Sequence, residues 1–289
     1  MSTDKSPDPV TENAWHKLKT FTDARIGLGR AGISVPTRHL LAFQLAHAQA
    51  IDAVHTQLDV MRLSNDLLRQ TWCPATPPLH LHSRAQDRIT YLQRPDCGRV
   101  LDDESAAKLE QHRAAHPNGY DLVVAAVDGL SSRAIEQNTL PFLTALFAGL
   151  EVHQGVAQPE TTGWTVAPLC VVEQGRVAIG DEICQRLNAR CVLVLVGERP
   201  GLSSPDSMGL YLTWGGKAGL TDAHRNCISN IRPAGLNFQE AARKALYLLR
   251  EARHLQLSGV KLKDRSSNDD GVLETDLRSR NLLVSDSSG

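Results

Sequence analysis

The chain has 289 residues, of which 42% are hydrophobic, 22% charged and only 4% aromatic, a composition typical of a globular protein with an aliphatic core. A formal net charge of −1 argues against a nucleic-acid-binding protein that works by neutralising phosphates. No apolar run approaches the roughly 20 residues of a membrane-spanning helix, and the opening residues lack the apolar core of a secretory signal. With six scattered cysteines and no CxxC pair, we expect a reduced, cytoplasmic protein.

The first hundred residues predict a mainly helical region. Residues 1–11 are rich in Ser, Asp and Pro, which predicts a disordered arm. A short helix is expected from Glu12, then a Gly-rich loop at Arg25–Gly32, then one long helix from Thr37 to about Gln70. Within that helix one apolar stripe at helical spacing is formed by Ile51, Val54, Leu58 and Met61.

After about residue 100 the pattern alternates between helix and strand. Helices are predicted at 103–115, 135–150, 179–187 and 237–259, and strands at 122–127, 166–172, 191–196 and 209–214. Asn237 and Glu240 have the spacing of a capping box, and Gly259 is predicted to end the last helix. The predicted fold class is α/β: a helical N-terminal part (12–100), then a Rossmann-like, mostly parallel sheet flanked by helices (101–259), then a polar, mobile tail (260–289).

One glycine motif resembles a dinucleotide-binding fingerprint. Gly27–Gly32 fits GxGxxG, and Asp52 follows about 20 residues later. The fingerprint must close a strand and open a helix, whereas a helical stretch precedes it here and Asp52 falls inside a helix. A loop between two helices is therefore favoured over a nicotinamide site.

Two other motifs fail as catalytic or metal signatures. Asp128–Ser131 follows a strand, but Arg133 stands where a GxSxG nucleophile elbow needs glycine. We therefore predict that Ser131 or Ser132 caps the next helix. The pairs His80 with His82 and Cys184 with Cys191 do not supply four ligands at zinc-like spacing, so no metal site is expected.

The loop after the strand at 191–196 is the strongest candidate for a ligand contact. Glu198 and Arg199 lie at the carboxyl end of that strand, where open α/β sheets present ligand-binding groups. Two interpretations stay open. The two side chains form an internal salt bridge that fixes the loop, or Glu198 accepts hydrogen bonds from a ligand rich in amide or hydroxyl donors.

Four segments of the chain are similar to one protein family. The segments are RPDCGR at Arg94–Arg99, DGLSS at Asp128–Ser132, VGERPGL at Val196–Leu202 and CISNI at Cys227–Ile231. They resemble the small (light) subunit of ethanolamine ammonia-lyase, and the likeness runs from about residue 25 to about residue 259. The resemblance implies an adenosylcobalamin-dependent radical lyase that converts ethanolamine to acetaldehyde and ammonia.

The resemblance also implies which residues contact the coenzyme. The family's cofactor contacts map onto Val177, Glu198 and Cys227, and the cobalamin keeps its own dimethylbenzimidazole base on cobalt. The segment Asp222–Cys227 nearly fits DxHxxG, the loop that supplies a histidine to cobalt in other cobalamin enzymes, but Cys227 replaces its glycine. His224 is therefore predicted to be a surface or hydrogen-bonding histidine. No catalytic residue is expected in this chain.

The implied partner is a large TIM-barrel subunit, with the coenzyme between the two chains and a trimer of dimeric pairs as the assembly. Neither nucleic acid nor a membrane is expected as a partner. Relatives with a longer N-terminal extension are associated with bacterial microcompartments, and the short arm here argues against encapsulation. Two rival functions stay open: a stand-alone α/β enzyme that binds a nucleotide or phosphate at the strand ends, and an assembly subunit without a ligand.

Overall fold

The structure, a computed structural model, describes residues 9–263 except residues 23, 75 and 153–162. Its strands are β1 (Val10–Thr11), β2 (Arg30–Ala31), β3 (Leu79–His82), β4 (Tyr120–Val127), β5 (Cys170–Glu173), β6 (Ala189–Gly197), β7 (Met208–Trp214) and β8 (Arg225–Ile231). Its α-helices are α1 (Thr37–His55), α2 (Val60–Leu68), α3 (Arg88–Gln93), α4 (Asp103–Ala115), α5 (Ser132–Ala148), α6 (Ile179–Arg186) and α7 (Phe238–Leu255). Short 3-10 turns lie at Ala14–Thr20, Cys97–Arg99, Asp222–His224 and Gly259–Lys261.

A six-stranded sheet in the order β3-β5-β4-β6-β7-β8 forms the centre of the molecule. The first four strands are parallel, and β7 and β8 continue the sheet antiparallel. We call β7 and β8 the antiparallel wing. Strands β4 and β6 are almost wholly buried, as expected for parallel strands that helices cover on both faces. The predicted mostly parallel α/β fold is confirmed.

Helices cover the sheet on both faces. Residues of α2, α5 and α7 pack in one apolar cluster, and residues of α4 and α6 pack in the cluster on the opposite face. The face of α7 that packs against the sheet is formed by its buried residues Ala241, Ala242, Ala245, Leu248, Leu249 and Ala252. Asn237 caps this helix as predicted, because its side chain accepts a hydrogen bond from the Glu240 amide at 2.9 Å.

The single long helix predicted from Thr37 to Gln70 is wrong. The chain leaves α1 at Thr56, which has extended backbone angles, and α2 starts anew where the Asp59 side chain accepts from the Arg62 amide at 2.9 Å. The predicted stripe is not a buried face either, since Ile51 is 46% exposed and Met61 is 62% exposed. Helix α1 instead buries Ala46 and Ala53.

Several element boundaries also differ from the prediction. Strand β3 lies within the region predicted to be helical, so the sheet begins before residue 100, and strand β8 was not predicted. Helix α7 ends at Leu255, where Gln256 adopts the left-handed conformation that was expected at Gly259. The division into domains stays a prediction.

Parts of the predicted arm and tail lie outside the described residues, namely 1–8 and 264–289. Of the arm, β1 is described and pairs antiparallel with β2. Of the tail, Leu262 is buried against the core. Within the residues that the structure covers, no helix is long and apolar enough to cross a membrane.

Candidate functional site

Three of the four segments that resemble the family meet near the carboxyl edge of the parallel strands. They are Asp128–Ser132, Val196–Leu202 and Cys227–Ile231. The chain leaves β4 for α5 on one face of the sheet and leaves β5 for α6 on the other. The crevice between β4 and β5 is therefore the switch point at which open α/β sheets usually bind ligands.

A side chain of the protein itself fills this crevice. The Asp128 carboxylate accepts hydrogen bonds from the backbone amides of Gln174 at 2.9 Å and Gly175 at 3.1 Å. Arg88 lies 3.8 Å from the same carboxylate and donates to the carbonyl oxygen of Gly129 at 2.8 Å. Amides that could cradle a phosphate are thus already paired. This disfavours the rival function of a nucleotide- or phosphate-binding enzyme.

Burial dominates the electrostatics of Asp128. Its side chain is only 2% exposed, and this burial raises its pKa to about 6 although the two amides and Arg88 act in the opposite direction. The Arg88 guanidinium also stacks over the Tyr91 ring at 4.7 Å, which compensates part of its own burial.

Ser131 is the helix cap that the sequence predicted. Its hydroxyl accepts from the Ala134 amide at 3.2 Å and donates to the carbonyl oxygen of Pro205 at 2.8 Å. The second bond ties the start of α5 to the loop that follows β6. Ser131 is fully buried, so it is a structural residue and not a nucleophile.

Glu198 is held by hydrogen bonds from hydroxyl groups and a backbone amide. Ser207 donates to its Oε2 atom and Ser229 to its Oε1 atom, and the Asn230 amide lies 3.3 Å from Oε2. The ion pairs among the described residues include neither Glu198 nor Arg199. The interpretation of an internal Glu198–Arg199 salt bridge is therefore wrong.

A β-bulge in the wing aims two of these donors, the Ser229 hydroxyl and the Asn230 amide, at Glu198. The register between β7 and β8 shifts between Met208 and Leu210, and Asn230 adopts a positive φ of 60°. A bulge of this kind turns side chains that would otherwise alternate. Gly209 makes room for the carboxylate, because a Cβ atom there would lie 2.9 Å from Glu198 Oε1.

Cys227 lies on the same side of the wing. It pairs across the strands with Tyr211, which places the phenol beside the thiol. Burial raises the pKa of the Cys227 thiol, while the neighbouring Tyr211 acts to lower it. Cys227 is thus a neutral thiol at pH 7, a small polarisable contact and not a nucleophile. We call Glu198, Ser207, Tyr211, Cys227 and Ser229 the wing site.

Val177 approaches the same face from the loop before α6. It packs against the apolar cluster on the α6 face, and Tyr211 packs against that cluster too. The loop is anchored because the Arg176 amide donates to the carbonyl oxygen of Gly98 at 2.7 Å. A Cβ atom at Gly98 would lie 3.1 Å from the Arg176 side chain. The segment Arg94–Arg99 therefore supports the loop that presents Val177.

A buried ion pair connects α6 to the wing. Arg225 of β8 contacts Asp181 in the first turn of α6, and both side chains are at most 3% exposed. Arg225 also lies 3.5 Å from Asp222. Because breaking a buried pair is costly, this contact fixes α6, and the loop before it, relative to the strand that bears Cys227.

The residues rejected as ligands from the sequence have other partners. His224 is exposed, and its Nδ1 atom lies 3.2 Å from the Thr221 hydroxyl, which confirms a surface hydrogen-bonding histidine. His80 contacts the Ser64 hydroxyl at 2.7 Å, and His82 contacts the carbonyl oxygen of Ser83. No group of three potential metal ligands occurs among the residues with described positions.

The glycines of the Gly27–Gly32 loop allow it to pack closely against the N-terminal backbone. Gly27 and Gly29 have positive φ angles, and a Cβ atom at either would lie within 3 Å of the backbone of residues 11–16. The loop runs through β2 and not from a parallel strand into a helix. This arrangement lacks the geometry of a dinucleotide fingerprint.

Sequence reasoning missed most of the wing site. Ser207 and Tyr211 lie outside the four family-like segments, and Ser229 lies within CISNI but was not singled out as a contact. The partnership of Asp181 with Arg225 joins residues 44 positions apart. Gly209 was an available signal, because glycine inside a strand marks a bulge or a close approach.

Known proteins similar to the chain agree on one description. The family model "Ethanolamine ammonia-lyase light chain (EutC)" matches residues 12–263. The chain is 52% identical over 261 residues to the ethanolamine ammonia-lyase small subunit of Ralstonia nicotianae, which covers 90% of this chain and 92% of that protein. It is 51% identical over 281 residues to the protein of the same name from Pseudomonas fluorescens strain Pf0-1, and the match covers 96% of this chain and 98% of that protein. The Azotobacter vinelandii protein of that name is 51% identical over 258 residues, and the match covers 89% of this chain and 91% of that protein.

Proposed function

Because the chain belongs to the ethanolamine ammonia-lyase small-subunit (light-chain) family, we propose that it holds adenosylcobalamin in an enzyme completed by a large subunit. In this proposal the wing site and Val177 form one side of the coenzyme cradle. The observation that carries it is the wing site itself: polar groups on an open strand face, with a neutral thiol and no activated nucleophile. Such a site can bind and orient a ligand, and the substrate site belongs to the other chain.

The donor and acceptor set suits a corrin with its fringe of amides. A carboxylate offers about four acceptor positions, and the Ser207 and Ser229 hydroxyls and the Asn230 amide occupy three at Glu198. An amide N–H of the ligand can take the fourth. Gly209 keeps the strand face low beside the carboxylate, which suits a broad planar group.

In this proposal the residues of this chain bind the coenzyme, orient it and shield it from water. Bound adenosylcobalamin supplies the carbon-centred radical that starts the reaction of ethanolamine to acetaldehyde and ammonia. Glu198 fixes the rim of the ligand, while Cys227 and Val177 give it small contacts that permit close approach. His224 donates or accepts locally with Thr221, which supports a coenzyme that keeps its own base on cobalt.

We extend the proposal to the assembly. Because relatives are named small subunits, a larger chain is implied, and we propose a trimer of dimeric pairs with the coenzyme between the two chains. The large subunit then covers the open face of the wing and excludes water from the reacting centre.

The test is Glu198→Gln in the complex with the large subunit. The amide keeps one oxygen acceptor but turns donors toward Ser207 or Ser229, so an acceptor of the ligand's amide is lost. We expect coenzyme affinity to weaken by about 1–3 kcal/mol, measured from the visible spectrum of bound corrinoid during titration.

Arg199→Gln is the matched control, because Arg199 is the exposed neighbour and makes no ion pair among the described contacts. It should bind the coenzyme like the wild type. Unchanged affinity in Glu198→Gln would instead favour an assembly subunit without a ligand.

A further inference from the structure

Helix α1 shows its large apolar side chains to the outside of the molecule. Leu41 is 58% exposed, Leu45 is 61% exposed and Ile51 is 46% exposed. The 3-10 turn and loop before it add Trp15, Phe21 and Ile33, which are also exposed. We call these six side chains the N-terminal apolar surface. Patches of this kind on a chain mark contacts with another macromolecule.

The same helix turns its smallest residues toward its own body. The residues of α1 that the structure buries are Ala46 and Ala53, and Ala50 on the same side is half-buried. An ordinary surface helix does the reverse, with large apolar residues inward and polar residues outward. Helix α1 therefore has the pattern of a helix that lies between two bodies, with the larger contact on the side away from its own sheet.

Charge distinguishes between a second copy and a different chain as the occupant. Residues 9–55 carry five Lys or Arg and three Asp or Glu side chains, a net charge of +2 in a chain whose total is −1, together with four histidines. A symmetric contact between two copies would set the same surface against itself. The net positive charges of the two copies would then repel each other across the contact, which is unfavourable. A chain with an acidic rim around an apolar groove is the complementary partner.

The N-terminal apolar surface is continuous with the loop of the wing site. The Arg25 guanidinium donates to the carbonyl oxygen of Leu202 at 3.3 Å and stacks over the Phe43 ring of α1 at 5.9 Å. Leu202 follows Glu198 in the same loop. The loop of the wing site therefore lies beside α1, and a single partner could contact both.

We propose that the N-terminal apolar surface is a second docking surface for the large subunit, distinct from the coenzyme cradle. This inference rests on the proposed function for the identity of the partner. At about 1.5 Å per residue the 19-residue helix α1 is roughly 28 Å long, enough to span one side of a standard interface. It anchors the two chains whether or not the coenzyme is bound.

The test is the triple variant Leu41→Ser, Leu45→Ser, Ile51→Ser of the full chain, titrated with large subunit in the absence of coenzyme. Because these side chains are exposed in the single chain, its thermal unfolding should stay that of the wild type. Affinity for the large subunit should fall about 100-fold, as expected when several buried anchors of an interface are truncated. Leu255→Ser is the matched control, since Leu255 is 46% exposed at the end of α7, and it should leave the affinity unchanged.

Hydrogen exchange of residues 37–55 in the wild type provides a reading that does not depend on the variant's stability. The inference predicts slower exchange there on addition of large subunit. Unchanged affinity of the triple variant, or unchanged exchange, overturns it, and so does a wild-type homodimer that the triple variant dissociates. Failure of the coenzyme proposal looks different, because Glu198→Gln and wild type would then bind coenzyme equally while the triple variant still loses the large subunit.

Discussion

Asp128 and Glu198 are two acidic residues at one edge of the sheet whose surroundings differ. Asp128 is enclosed, and its partners are backbone amides and Arg88. Glu198 is only half-buried, and two of its three partners, Ser229 and Asn230, lie on the exposed strand β8. Because both follow directly after parallel strands, sequence position does not separate them. Their surroundings make Asp128 a structural residue and leave Glu198 accessible to a ligand.

Asp128 makes the stability of the protein depend on pH. Burial raises its pKa to about 6 from an ordinary 3.8, so the folded state binds a proton at a pH where the unfolded chain does not. Its contribution to stability therefore grows as pH falls from about 6.5 to about 4. The unfolding free energy of the wild type, compared with that of the non-titrating Asp128→Asn, should change in favour of the wild type by roughly 1–3 kcal/mol between pH 7 and pH 4.

Denaturant unfolding at several pH values measures this difference. Asp96→Asn is the control of opposite sign, because hydrogen bonds from Arg94 hold the pKa of Asp96 near 2. Its stabilising effect should be lost as pH falls. A wild-type minus Asp128→Asn difference that is flat with pH would show that Asp128 stays ionised in the folded protein.

At the scale of single residues the sequence predicted local roles well and partners poorly. The caps at Ser131 and Asn237 followed from rules that act within one turn of a helix. The partners of Glu198 did not, because Ser229 is 31 positions away. Which side chain is brought to it depends on how β8 is placed in the sheet.

The bulge in β8 is the element that shapes the wing site. An extra residue in this strand turns the Ser229 hydroxyl and the Asn230 amide together toward Glu198. The bulge requires a left-handed residue, and Asn230 fills that position with its side-chain oxygen accepting from Arg232 Nε at 2.9 Å. Asparagine tolerates this conformation better than other side chains with a Cβ atom.

Replacing Asn230 by Val should disrupt the bulge. A β-branched side chain at a φ of 60° costs about 1–3 kcal/mol, so urea unfolding should shift by that amount and coenzyme affinity in the complex should fall as Glu198 loses two donors. Asn230→Gly, which adopts positive φ freely, should keep most of both. Equal effects of Val and Gly would mean that the side chain of Asn230, and not its backbone conformation, holds the site.

The elements were predicted where their pattern is strong and local. Strands β4 and β6 are continuous apolar runs, and helices α4 and α6 were placed within a residue or two. Helices α1 and α2 were merged because apolar residues continue through Thr56–Asp59 at helical spacing. Strand β8 was missed since its sequence is largely polar, and it is a strand because β7 offers a free edge.

At the scale of the whole molecule, two exposed surfaces are the ones that we propose the large subunit covers. The wing site is open on the α6 side of the sheet, and the N-terminal apolar surface continues from it through Arg25 and Leu202. The α/β class could be predicted because helix and strand alternate along the chain. The exposed side of α1 could not, since an apolar helix has the same sequence whether its own body or another chain covers it.

Coenzyme should stabilise this chain only in the complex. A ligand that binds the folded state at 100 times its dissociation constant adds about 2.7 kcal/mol. The coenzyme site of the isolated small subunit has only one of its two sides, so we expect it to bind adenosylcobalamin too weakly for such a stabilisation. We therefore expect adenosylcobalamin to raise the melting temperature of the small and large subunits together and to leave that of the small subunit alone unchanged. An equal rise for the isolated chain would show that the cradle needs no second subunit.

The enclosed carboxylate of Asp128 has a consequence for how the protein behaves among cellular metabolites. Because it is attached to the chain beside the Gln174 and Gly175 amides, its local concentration exceeds that of any dissolved competitor. To bind these two amides, ATP, NAD or free phosphate would have to displace a carboxylate that is covalently attached to the chain. We therefore expect the crevice between β4 and β5 to bind such anions weakly, although its architecture is that of a nucleotide-binding fold.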